Sequence, residues 1–136
     1  MIRQSKQFTA IYCRVGNGWN ADMMAKTIRH QELQAGEYAH QNSLMPTQAF
    51  SDLGFSGNTM KHPAFQEMLR QIKAGNVSAV VVYNLFRFSR NTEDTCHLLE
   101  TLFSPHGISL YSVQEGHDTL RMLDQFSSFL EKGGRS

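Results

Sequence analysis

Cysteine is scarce in this chain, which contains two among its 136 residues. The pair, Cys13 and Cys96, is too few for the disulfide framework that holds small secreted domains together. We expect both thiols to be reduced, which fits a cytoplasmic protein.

Long apolar runs and an excess of charge are missing as well. No stretch reaches the about 18 apolar residues of a membrane-spanning helix, so we expect no membrane partner. The N-terminal segment lacks the apolar core of a signal peptide. The formal net charge of +1 excludes a chain that binds nucleic acid over its whole surface, although a local cluster of arginines could still bind phosphate.

The remaining composition is typical of one folded domain. Hydrophobic residues make up 40% and charged residues 18% of the chain, as in soluble globular proteins. A chain of this length can bury one core but not two, so we predict a single domain over residues 1–136. Its six histidines show none of the spacings of metal ligands, and we predict neither a metal nor a cofactor.

Apolar periodicity divides the chain into alternating strands and helices. The predicted strands are 8–15, 45–50, 77–83 and 108–113. The predicted helices are 21–40, 63–74, 92–103 and 118–131, and residues 51–62 are predicted to form a loop. This order predicts an α/β fold with a mostly parallel central sheet of four to five strands and helices on both faces.

Charged and polar residues follow three of the predicted strands. Functional residues of such sheets lie in the loops beyond the carboxyl ends of the strands. The candidates are therefore Arg14 with Gly16 after the first strand, residues 52–57 after the second, and Arg87 with Arg90 after the third.

Several motifs in these segments share the order and spacing of a known family. The chain reads Tyr-Cys-Arg-Val at 12–15, Asp-Leu-Gly-Phe-Ser-Gly at 52–57, His-Pro-Ala-Phe at 62–65, Phe-Arg-Phe-Ser-Arg-Asn at 86–91 and Ser-Val-Gln-Glu at 112–115. Together they resemble the N-terminal catalytic domain of the serine recombinases, the resolvase and invertase family. The last motif is most similar to the large serine recombinases.

The resemblance implies a chemistry for these residues. Members of the family cut DNA with a serine hydroxyl that becomes linked to the phosphate, while arginines stabilise the charge on the phosphate oxygens. DNA is thus the partner that the resemblance implies. The catalytic positions that it assigns are Arg14, Gly16, Arg87 and Arg90. The other motif positions are Gln31, Asp52, Ser56, Gly57, His62 and Phe86.

Three of these positions carry residues that this chemistry cannot use. Gly16 stands where the family has its serine, so the nucleophile position is vacant. His62 replaces an arginine, and it lacks the planar fork and is mostly neutral at pH 7. Phe86 replaces an acid and cannot carry a proton. We predict a catalytically inactive member, a pseudoenzyme that is either a remnant or a modulator of an active recombinase.

The last predicted helix, 118–131, carries Phe126, Phe129 and Leu130 at a spacing typical of a dimer contact. In the family a longer helix at this place forms the dimer interface, and a DNA-binding domain follows it. We expect homodimers or mixed dimers through this shortened helix. We also expect no C-terminal DNA-binding domain in residues 1–136, and therefore weak DNA binding by this chain alone.

Two other interpretations stay open at this point. An active recombinase fragment whose nucleophile had been replaced as a trap would show the same pattern. A phosphate- or nucleotide-binding α/β module is the other, since residues 16–21 read Gly-x-Gly-x-x-Ala between a strand and a helix. The ribose-binding acid of such modules stands roughly 20 residues on, whereas Asp52 lies far beyond that point.

Overall fold

The computed structural model of the protein describes residues 7–55, 61–89 and 92–116. Within them, four parallel strands form one sheet in the order β2-β1-β3-β4. The strands are β1 (Phe8–Val15), β2 (Thr47–Leu53), β3 (Val77–Val82) and β4 (Ser109–Ser112). The predicted α/β class with a parallel central sheet is confirmed.

Helices connect the strands. They are α1 (Ala21–Gln41), α2 (Pro63–Lys73), the single turn α3 (Leu85–Phe88) and α4 (Thr92–Leu98), which continues as a π-helical segment at Leu99–Phe103. Asn20 begins α1, because its side-chain oxygen accepts a hydrogen bond from the N–H of Met23 at 2.9 Å. No helix in these described ranges has the length and hydropathy needed to cross a membrane.

Both faces of the sheet are covered, because successive side chains of a strand point to opposite faces. One apolar cluster joins α1 to alternate residues of the central strands: Ile28, Ala35, Ile11, Cys13, Val15 and Val81. A second cluster joins α2, α3 and the π-helical segment to the intervening residues: Ala10, Tyr12, Val80, Val82, Phe65, Ile72, Phe88 and Phe103. Right-handed connections that leave β1 and β3 towards opposite edges of the sheet account for this division.

The carboxyl ends of β1 and β3 form the switch point of the sheet, where ligands bind in open α/β folds. The two strands are neighbours, yet the chain continues from β1 to β2 on one side and from β3 to β4 on the other. Arg14 and Gly16 lie at the end of β1, and α3 follows β3 after two residues. The topology therefore brings these segments to one crevice.

Two predictions about the second strand and the loop after it were wrong. The strand begins at Thr47 rather than at residue 45, because Pro46 has no N–H and only its carbonyl bonds to β1, accepting from Thr9 N at 2.8 Å. It also continues past residue 50, since Asp52 and Leu53 pair in register with the last residues of β1. Asp52 is therefore a strand residue and not a loop residue.

Other boundaries also differ from the predictions. Arg14 lies within β1, as the predicted strand 8–15 implies, and not in the loop with which it was grouped; Arg87 lies in the helical turn α3 rather than in a loop. The predicted helix 92–103 widens into the π-helical segment, in which Leu99 and Phe103 are both fully buried. The predicted helix 118–131 lies outside the described residues, as does its predicted dimer contact.

Candidate site at the ends of the central strands

Arg14 occupies the centre of the crevice and is almost completely buried, with 2% of its surface exposed. Each of its three guanidinium nitrogens donates to a backbone carbonyl. Nε donates to Arg87 O at 3.1 Å, Nη1 to Phe55 O at 3.3 Å, and Nη2 to Phe86 O. Since these carbonyls follow β2 and β3, Arg14 ties together the ends of three neighbouring strands.

Gln31 fixes the backbone of Arg14 from helix α1. Its side-chain oxygen accepts from Arg14 N at 3.1 Å, and its Nε2 donates to Arg14 O at 3.0 Å. The amide is 1% exposed, so both bonds are shielded from water. Gln31 thereby fixes the position from which the Arg14 side chain extends into the crevice.

Asp52 holds the start of helix α2. Its carboxylate accepts from the backbone N–H groups of Ala64 at 2.9 Å and Phe65 at 3.0 Å, where a negative charge is favourable. The hydroxyl of Tyr12 also donates to it at 2.8 Å. Burial, reinforced by the Asp52 carboxylate, raises the pKa of the Tyr12 hydroxyl, which therefore stays protonated as a donor.

His62 is the residue before α2, and its side chain makes no cap for that helix. It is 3% exposed, and its ring lies 5.1 Å from the ring of Phe55. Since Phe55 also supplies a carbonyl to Arg14, His62 is part of the packing beside the crevice.

Phe86 contacts two cations. The Cζ atoms of Arg14 and Arg87 lie 5.5 Å and 5.9 Å from the centre of its ring, within the range of cation–π attraction. The ring therefore holds both guanidinium groups at the position where the resemblance implies an acid. It is 48% exposed, and it has no proton to exchange.

Arg87 is the half-buried cation of the site. Within residues 7–55, 61–89 and 92–116, its buried Nε has no hydrogen-bond partner, and burial lowers the pKa of its guanidinium. A buried donor left without an acceptor costs about 1–3 kcal/mol. An anion that accepted a hydrogen bond from this nitrogen would remove that cost.

Gly16 has an ordinary backbone conformation. Its φ lies outside the left-handed region, unlike those of Gly18 at +97° and Gly54 at +84°. Among residues 7–55, 61–89 and 92–116, the nearest atom to a Cβ at Gly16 would be the carbonyl oxygen of Phe55 at 3.9 Å, which is an ordinary contact. Neither the backbone conformation nor the contacts of the described residues therefore require glycine at this position, and a Cβ fits there.

The structure thus brings Arg14, Gly16, Phe86 and Arg87 together at the ends of β1 and β3. It places Gln31 behind them and Asp52 with His62 at the start of α2. The three remaining predicted positions, Ser56, Gly57 and Arg90, lie outside the described residues.

Three further residues contact the turn that carries Arg87, namely Asn84, Gln114 and Glu115. Gln114 and Glu115 belong to the motif at 112–115, but neither they nor Asn84 were assigned to the site from the sequence. Asn84 accepts from Arg87 N at 3.0 Å, and a capping residue before a short turn is a signal that the sequence does contain. Glu115 accepts from Leu85 N at 3.2 Å across 30 residues of chain, and no local pattern indicates such a contact.

Comparison with known proteins gives a consistent result. The family model described as Resolvase, N terminal domain, matches residues 9–131. The N-terminal catalytic domain of TP901-1 integrase is 28% identical with a TM-score of 0.84, covering 95% of this chain and 98% of that one. A resolvase family site-specific recombinase from Streptococcus pneumoniae is 25% identical with a TM-score of 0.74, covering 96% and 89%. No match is found among curated proteins.

The family match covers well over half of the chain, and the most informative structural match extends over nearly the whole of a catalytic domain. The predicted resemblance to the serine recombinases, which act on DNA in site-specific recombination, is confirmed. The chain belongs to the resolvase family of serine recombinases, in which it corresponds to the N-terminal catalytic domain.

Proposed function

We propose that this chain is a single serine-recombinase domain that does not cut DNA and that modulates an active recombinase by forming mixed dimers with it. The observation that carries the proposal is Gly16. The backbone there has an ordinary φ, and the described residues leave room for a Cβ, so their packing does not explain the glycine. Without a hydroxyl at this position, the domain lacks the nucleophile with which the family attacks a phosphodiester.

The thiol of Cys13, a possible alternative nucleophile among the described residues, does not replace the serine. Cys13 precedes Arg14 in β1, but it is fully buried, and burial raises the pKa of its thiol to about 12. The thiolate is the reactive form of cysteine, and it is not available at neutral pH in this environment. Phe86, in the place of an acid, supplies no proton for a leaving group.

Phosphate binding without cleavage is the activity that the remaining residues can support. Arg14 is committed to three carbonyls, whereas Arg87 has a buried donor that an anion could satisfy. The chain has a formal net charge of only +1, so we expect DNA binding to be weak. We therefore place the main interaction in a protein partner.

Cleavage can be tested on a nicked suicide duplex, with the covalent protein–DNA adduct as the readout. The chain and its Gly16→Ser variant are each joined to the C-terminal part of TP901-1 integrase, in place of that enzyme's own catalytic domain. All proteins are thereby delivered to the same DNA, and intact TP901-1 integrase is the positive control. We expect an adduct with the control and with neither chimera.

An adduct formed by the unmodified chain would overturn the proposal, because another group would then attack the phosphate. An adduct formed by the Gly16→Ser chimera alone would leave the chain inactive as proposed. It would show that the site lacks one hydroxyl and is otherwise intact, which favours an active fragment whose nucleophile was replaced over a pseudoenzyme.

The mixed dimer has its own test. The chain is titrated into a recombination reaction of an active relative, and complex formation is followed by sedimentation. We expect inhibition that saturates as mixed dimers form. We expect the Phe126→Glu and Phe129→Glu double variant, altered in the predicted interface, to inhibit much less. Equal inhibition by both proteins would exclude this interface.

A further inference from the structure

The turn α3, which carries Arg87, is held from both sides. In the sheet order, β3 lies between β1 and β4, so the segment after β3 has a neighbour at each flank. From the β1 side, Arg14 donates to the carbonyls of Phe86 and Arg87. From the β4 side, the contacts are made by Gln114 and Glu115, which follow that strand directly.

Glu115 is attached both to the sheet and to the turn. Its Oε1 accepts from the backbone N–H of Leu85, the first residue of α3, at 3.2 Å. The same oxygen accepts from the hydroxyl of Ser112, which is fully buried at the end of β4 and paired in register with Val82. The carboxylate thus links the start of the turn to a fixed point of the sheet.

Gln114 supports the residue that begins the turn. Its side-chain oxygen accepts from Asn84 Nδ2 at 2.9 Å, while Asn84 Oδ1 accepts from Arg87 N at 3.0 Å. Its Nε2 donates to the hydroxyl of Tyr83 at 3.1 Å. The start of α3 is therefore joined to the end of β4 by a series of side-chain hydrogen bonds.

We propose that Glu115 is a positioning residue, which holds α3 so that the guanidinium of Arg87 faces the crevice as a phosphate ligand. The N–H groups at the start of a helical turn have no partner within the turn, and a carboxylate is a stronger acceptor for them than a neutral group. The identity of the ligand as phosphate rests on the proposed function. The positioning of α3 by Glu115 does not depend on which ligand Arg87 binds.

The test compares Glu115→Ala with Glu115→Gln. Both variants remove the same negative charge, but only glutamine keeps an oxygen that can accept from Leu85 N. One readout is hydrogen exchange at the Leu85 amide, and the other is the NMR signal of the Arg87 Nε–H group during titration with inorganic phosphate. Glu37→Gln, which removes an exposed charge from α1, is the matched control.

We expect Glu115→Ala to accelerate exchange at Leu85 by about tenfold and to weaken phosphate binding several-fold. We expect Glu115→Gln to stay within about threefold of the unmodified chain in both readouts, and Glu37→Gln to match that chain. If Glu115→Ala does not fold, Ser112→Ala takes its place, since it removes the anchor and keeps the carboxylate. That variant should also accelerate exchange at Leu85.

Equal behaviour of the two Glu115 variants, with phosphate bound more tightly by both, would overturn the inference, because the residue would then act through its charge alone. Unchanged exchange at Leu85 in Glu115→Ala would overturn it as well. A titration in which phosphate leaves the Arg87 signal of the unmodified chain unmoved would instead refute phosphate binding in the proposed function. Exchange at Leu85 would still decide whether Glu115 positions the turn.

Discussion

Gln31 and Asp52 differ from Gly16 and Phe86 in burial and in their contacts with the backbone, although all four are motif positions of one family. The first two are 1% and 3% exposed, and each holds backbone groups of a neighbouring element. At Gly16 there is room for a side chain, and Phe86 is half-exposed. Of these four residues, the two that match the family hold backbone groups with their side chains, and the two that depart from it do not.

Arg14 has both a structural role and a role in the chemistry that the resemblance implies. The resemblance implies that it stabilises a phosphate, but its guanidinium also ties the ends of three strands together. The structural role alone accounts for an arginine at this position in a domain without a nucleophile. Its presence is therefore weak evidence for catalysis.

Among the variants that test this comparison, Asp52→Ala should cause the largest loss of stability. The change leaves two backbone N–H groups of α2 and the Tyr12 hydroxyl without their acceptor. We expect a loss of about 3–5 kcal/mol in the free energy of unfolding, measured with urea. Asp22→Ala, at an exposed acid in the first turn of α1, is the control and should be nearly neutral. Equal losses in the two variants would contradict a capping role for Asp52.

A smaller loss is expected for Gln31→Ala. This variant removes both hydrogen bonds to the backbone of Arg14 in a site that water does not reach. We expect about 2–3 kcal/mol less stability in the same urea experiment. Gln34→Ala, one turn along α1, should change little. If Gln31→Ala were equally mild, the motif glutamine would not serve the fold.

Cys13, which is buried in β1, should make the stability of the protein depend on pH. Burial raises the pKa of its thiol from 9.0 to about 12, so the unfolded chain loses this proton at lower pH than the folded chain. The stability that Cys13 contributes is therefore complete below pH 9 and is lost between pH 9 and 12. We expect the unmodified chain to lose about 1 kcal/mol more than Cys13→Ala between pH 8 and pH 10.

The comparison of the two chains separates Cys13 from Tyr12 and Cys96, whose pKa values are also raised by burial. An equal decline in both chains would assign the whole decline to such other groups. A difference that appeared only below pH 8 would contradict the direction of the shift.

The central strands could be predicted from the sequence because they are buried on both faces. The apolar runs 8–15 and 77–83 coincide with β1 and β3 to within one residue. The end of β2 could not, since Ser51 and Asp52 are polar residues of an edge strand and resemble a loop. A pattern of local polarity does not report pairing with a strand that lies far away in the chain.

For the site, the positions of the residues could be predicted from the sequence, but their contacts could not. Motif order and topology placed Arg14, Gly16 and Arg87 in one crevice, because adjacent parallel strands end at the same edge. The partners of these residues were not predictable. The contact of Glu115 with Leu85 and the position of the Phe86 ring near two guanidinium groups depend on packing in three dimensions.

The most direct measurement is the free energy of unfolding of the Gly16→Ser variant beside that of Asp52→Ala. The first change restores a serine at a position that only the chemistry needs, and the second removes a side chain that holds the backbone of the fold. We expect Gly16→Ser to stay within about 1 kcal/mol of the unmodified chain, because the backbone is ordinary and the nearest atom lies 3.9 Å from the new Cβ. A loss above about 2 kcal/mol would show that the fold requires glycine there, and it would contradict the separation of the two groups.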